Sequence, residues 1–80
     1  MRSVVRQTSW VFARGDERVT LEVTADPAGL LLTVHDASGA CPDLRRFQSA
    51  DALLECQMEY RRTLLSRGFR LRAVVERGES

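Results

Sequence analysis

Residues 49–69 carry the periodicity of an amphipathic helix together with a start and a stop signal, and no other segment limits the fold as tightly. Ser49 stands just before the periodic run, where its hydroxyl accepts from an amide of the first turn. Asp51 follows in that turn, at the end of the helix dipole that favours negative charge. Ala52 occupies the position from which Glu or Gln would reach back, so no capping box forms. At the other end Gly68 supplies a left-handed residue, and Phe69 is placed to fold back on Leu64 in a Schellman arrangement. Asp51, Glu55 and Glu59 hold the N-terminal half while Arg61, Arg62 and Arg67 crowd the C-terminal half, an order that complements the dipole.

At ~100° per residue, Leu53, Leu64, Ala50, Leu54, Leu65 and Met58 share one face, with Tyr60 at its edge. Glu55, Glu59, Arg62 and Ser66 lie opposite. Gln57 and Arg61 fall inside the apolar stripe, one turn apart and therefore neighbours. An unpaired guanidinium in a dry core costs several kcal/mol. Arg61 is therefore expected to run to the margin of the helix interface and bond backbone carbonyls, an adjacent acid or a partner molecule. Gln57 is expected to bond a strand backbone group. This pair breaks an otherwise regular pattern, which makes it a candidate interaction site.

Upstream of the helix the period falls to two. Val19, Leu21 and Val23 alternate with Arg18, Thr20, Glu22 and Thr24, the clearest half-buried strand in the chain. Residues 4–13 precede it with Trp10 and Phe12 on one side, and Arg14-Gly15-Asp16-Glu17 joins the two as a hairpin turn. Ala25-Asp26-Pro27-Ala28-Gly29 is a second turn, followed by a strand over 30–35 with Leu30, Leu32 and Val34 inward. After the turn Asp36-Ala37-Ser38-Gly39-Ala40, residues 44–47 make a short, charged strand suited to an edge. Beyond the helix, Phe69, Leu71, Ala73 and Val75 alternate with Arg70, Arg72 and Val74, predicting a short final strand, and residues 77–80 are expected to fray. The sum is one α+β domain over residues 1–80: an antiparallel meander of about four strands with one face covered by a single long helix.

Eighty residues supply one small core, so the margin of stability is only a few kcal/mol. All twelve basic residues are Arg, and the chain has no Lys, Ile or Asn. Those missing types use A/T-rich codons, so a GC-rich bacterial genome accounts for the bias, including the part that selection for bidentate anion recognition would leave unexplained. Eleven acids leave a net charge of +1, whereas duplex-binding domains are far more basic. No apolar stretch near the start fits a signal peptide, no run approaches the ~20 residues of a membrane span, and two cysteines make no disulfide framework. A cytoplasmic protein is the expectation.

Chemistry-bearing patterns are sparse. His35, the one histidine, adjoins Asp36 and precedes Cys41, but no oxyanion-forming motif accompanies them, and a solvent-facing strand histidine accounts for the pattern. One His and two distant Cys are too few for a metal site. The glycines stand singly and mark turns, which excludes a phosphate cradle. We therefore expect a non-enzymatic protein without catalytic residues, metal or cofactor.

In layout, Phe47-Gln48-Ser49 opening a helix that ends at Gly68-Phe69, after strands and a glycine turn, resembles the second half of WGR domains over residues 19–70. The resemblance implies association with nucleic acid. The Trp-Gly-Arg signature itself is absent, with Thr33-Val34-His35 near where it would fall, so the likeness is one of layout shared with unrelated small domains.

Two kinds of surface follow. Sheet edges and a partly covered face favour a protein partner or a homodimer, with Val11, Leu31 and Val74, expected on the outer face, as candidate contacts in addition to Gln57 and Arg61 on the helix. The alternative is weak single-stranded nucleic-acid or phosphate binding through Arg18, Arg45, Arg70 and Arg72 on the polar sheet face. No membrane contact is expected.

Overall fold

The computed structural model describes residues 5–36 and 43–79, in which five antiparallel strands form one sheet with a single helix packed on it. The strands are β1 (Val5–Arg14), β2 (Glu17–Asp26), β3 (Gly29–Asp36), β4 (Asp43–Phe47) and β5 (Arg70–Glu79), and the helix is α1 (Ala50–Ser66). Their order across the sheet is β4-β3-β2-β1-β5, so the meander runs to β4 and the chain returns through α1 to pair β5 with β1. The α+β architecture and the final strand agree with the sequence pattern.

Two turns depend on glycine. Gly15, with φ 58°, opens the two-residue β1–β2 loop, while Asp16 keeps negative φ, as in a hairpin turn with glycine first. Gly29 has φ 131°, and a Cβ there would lie 3.3 Å from the carbonyl oxygen of Phe47 on β4. The same turn is closed by Asp26, whose carboxylate accepts from the Ala28 amide at 2.9 Å.

Both expected caps form. Ser49 Oγ accepts from the Ala52 amide at 3.2 Å. The amides of Phe69 and Gly68 donate to the carbonyls of Leu64 and Leu65 at 2.9 and 3.1 Å, the paired bonds of a Schellman motif. That turn drives Phe69 into the core with Leu64, Phe12 and Leu21, flanked by Trp10, Val19, Val34 and Tyr60.

Register assigns the faces. Trp10 faces Leu21, Leu21 faces Val34, and Phe12 faces Val19, so these residues line the side that carries α1. Val11, Thr20 and His35 form a row on the other side.

Three expectations are corrected. First, α1 is rotated from the predicted stripe by about half of its ~100° step. Its buried residues are Leu53, Gln57 and Leu64, while Leu54, Met58 and Leu65 are about half exposed. Two anchors cause this: Phe69, held to Leu64 by the Schellman turn, and Tyr60, whose hydroxyl donates to Asp43 Oδ2 at 2.9 Å. Both are reached only if the ridge 53–57–60–64 faces the sheet.

Second, Val74 is not on the outer face. Val11 faces Ala73 but Phe12 faces Leu71, so Arg72 is the extra residue of a β-bulge. Strict alternation fails across a bulge, which puts Leu71 on the helix side, Ala73 and Val75 on the outer side and Val74 opposite Trp10 on the helix side. Third, Arg77, Gly78 and Glu79 continue β5 opposite Gln7, Arg6 and Val5 rather than fraying, because β1 is long enough to supply a backbone partner. Ser80 lies outside the described residues.

Candidate interaction surface

α1 packs chiefly over β3 and β4, and its last turn reaches Phe12 and Leu21. One flank, with Tyr60, faces β4 through the bond to Asp43, and Cys56 and Thr63 border the same shallow recess. The opposite flank carries Leu54, Met58 and Leu65, which are 51%, 49% and 53% exposed. This flank borders an open recess together with Arg61 and Arg62, and a second open surface lies at β5.

There the sheet is bare. The described residues 70–78 of β5 are all exposed, including Leu71 and Val74 on the helix side. Trp10, opposite Val74, is only half-buried. The structure thus exposes both an apolar helix flank and an apolar strip of sheet. β5 is also the outer strand of the sheet, so half of its backbone N–H and C=O groups point away from β1.

Arg61 is half-buried in the exposed flank, beside Met58, Arg62 and Leu65. Gln57, a turn earlier, lies on the buried ridge at 4% exposure. The two are therefore not one polar site: Gln57 faces the sheet and Arg61 the flank. Among the described residues no fully buried side-chain nitrogen or oxygen lacks a hydrogen-bond partner. Val11 and Leu31 lie half-buried on the outer face, four residues of register apart, whereas Val74 is on the helix side.

The four arginines considered for nucleic acid do not share a face. Arg18 and Arg70 both flank Ala13 in one outer-face row. Arg45 faces Leu32 on the helix side, 4.0 Å from Asp43, and Arg72 sits at the bulge. His35 faces Thr20 on the outer side while Asp36 faces Val19 on the helix side, so a His35–Asp36 pair is split across the sheet. Cys41 lies outside the described residues.

The titration of Tyr60 is displaced upward. Its bond to the Asp43 carboxylate, then partial burial and the carboxylate charge, hold the phenol above its usual range, against an opposing pull from Arg45. Among the described residues no three His, Cys, Asp or Glu side chains gather as a metal site, and no helix is long and apolar enough to cross a membrane.

Sequence reasoning passed over Leu54, Met58 and Leu65 as surface residues. A signal was present: six apolar residues spread over more of the helix circumference than one sheet face can bury. Compared with protein-family models, curated proteins and solved structures, the chain matches none.

Proposed function

We propose that this chain is a small non-enzymatic protein-binding module of the bacterial cytoplasm that associates with a second copy of itself. One observation carries the reading: the helix flank of Leu54, Met58 and Leu65 and the sheet strip of Leu71 and Val74 are both apolar and exposed. Completing the burial of a half-exposed aliphatic side chain contributes about 1 kcal/mol. Summed over both copies, that is comparable with the ~4–15 kcal/mol lost in rigid-body freedom on association. The dimer is therefore weak and concentration-dependent.

Sedimentation velocity from micromolar to millimolar concentration tests this. The weight-average mass should rise with concentration, and the combined change Leu54→Gln, Met58→Gln and Leu65→Gln should hold the protein monomeric. A monomer at millimolar concentration would overturn self-association.

Arg18 and Arg70, sharing a row with Ala13, support a second reading as a weak single-strand or phosphate binder. Binding to a labelled oligonucleotide would then fall steeply with salt. Absence of binding at low salt would end that reading.

A further inference from the structure

We infer that β5 pairs antiparallel with β5 of a second copy, in a register centred on Val74. The inference rests on self-association and names the surface that carries it.

β5 is ten residues long, lies at the edge of the sheet and is exposed through its described residues. The other edge, β4, has only five residues and carries Asp43, Arg45 and Arg46, the short charged form that discourages pairing. β5 has a different composition. Ala73, Val74 and Val75 form an apolar centre, with Arg72 before it and Glu76 after it.

Geometry restricts the registers. In the β1–β5 ladder alternate β5 residues turn their N–H and C=O groups toward β1, and those between turn them outward. Two copies can therefore oppose only residues of like parity, and the two-fold axis must pass through a residue rather than between two.

Charge then selects among the centres. An axis at Arg72 or at Glu76 sets like charges against each other, which is destabilising. An axis at Val75 sets Val74 against Glu76 and makes no ion pair. An axis at Ala73 sets Arg72 against Val74 and brings Arg70 to Glu76 only by carrying the ladder across the bulge. An axis at Val74 opposes Val74 to Val74 and Ala73 to Val75, and it makes two Arg72–Glu76 pairs, one on each side of the axis. Only this centre combines an apolar middle with charge complementarity at both ends, from the bulge residue onward.

The axis stands perpendicular to the sheet, so both helices lie on the same face of the joined sheets. The strips of Trp10, Leu71 and Val74 from the two copies then meet as one apolar floor on that face. Edge pairing thus unites the surfaces that each copy leaves open.

Charge reversal tests the register by sedimentation, with circular dichroism reporting folding. Arg72→Glu and Glu76→Arg should each weaken the dimer about ten-fold, since each converts two attractive pairs into repulsive ones. The double variant Arg72→Glu/Glu76→Arg should restore wild-type association, a rescue that a change in folding would not produce. In a cysteine-free background (Cys41→Ser, Cys56→Ser), Val74→Cys should oxidise to a disulfide dimer, because directly opposed antiparallel residues have Cα atoms ~4.5–5.5 Å apart. Leu44→Cys on β4 should not. A wild-type dimer that ignores the charge reversals and yields no Val74→Cys cross-link would overturn this inference and leave self-association standing. A monomeric wild type with no cross-link would overturn both.

Discussion

The guanidinium of Arg14 lies over the ring of Phe69, 4.8 Å from its centroid, and donates from Nη1 to the carbonyl of Arg67 at 2.7 Å. It thereby ties the end of β1 to the turn that closes α1. Nη2 donates to Glu17 Oε1 at 2.7 Å, in a pair whose side chains are both about half exposed. Arg14→Lys keeps the charge but loses the planar fork, and should cost about 1 kcal/mol in urea denaturation. Glu17→Gln should cost less than about 0.5 kcal/mol, because exposed pairs contribute little. Equal costs would place the stabilisation in the ion pair and not in the contact with Phe69.

Tyr60 should make stability depend on pH at the alkaline end. Its folded-state pKa is raised, chiefly by donation to the Asp43 carboxylate. The contribution is present in full below the phenol's unfolded value of about 10. It is lost as pH rises through the higher folded value, because the unfolded chain releases its proton first. Tyr60→Phe should lower stability by about 1 kcal/mol at neutral pH. It should also remove this share of the alkaline loss, as read from denaturation midpoints between pH 8 and 11.

Gln57 and Arg61 separate the two phases of the helix. Gln57 faces the sheet at 4% exposure. Gln57→Ala removes a buried side chain and should cost about 1–3 kcal/mol. Arg61→Ala, on the half-buried flank, should cost under about 1 kcal/mol. The reverse ranking would mean that the helix presents Arg61 to the sheet. Arg61→Leu should remain folded, and loss of association in that variant would mark Arg61 as a contact for the second copy.

The turn glycines should differ in their tolerance of alanine. At Gly15 a Cβ meets nothing within 4 Å, so Gly15→Ala carries only the left-handed penalty of about 1 kcal/mol. At Gly29 the backbone angle is one that L residues rarely adopt, and the Cβ would crowd Phe47 O at 3.3 Å. Gly29→Ala should cost about 2–3 kcal/mol. In thermal melts its midpoint should fall several degrees further than that of Gly15→Ala.

Features that depend on near neighbours in sequence could be read from the chain alone. The Ser49 cap, the Gly68–Phe69 stop, the glycine hairpin at Gly15 and the alternation in β2 each arise from backbone preferences within a few residues. They determined the element order and the α+β class.

Phase and face were decided only in three dimensions. The six apolar residues of the predicted stripe on α1 span too wide an arc for one sheet. Which of them are buried depended on where Phe69 docked and on Asp43 waiting on β4 for Tyr60, a partner 17 residues away. Val74 changed sides because Arg72 bulges from the ladder with β1, and one extra residue exchanges every face beyond it. A local pattern carries the period of a strand or a helix, but its rotation about its own axis is settled by the energies of distant contacts. Those contacts are what left Leu54, Met58 and Leu65 about half exposed.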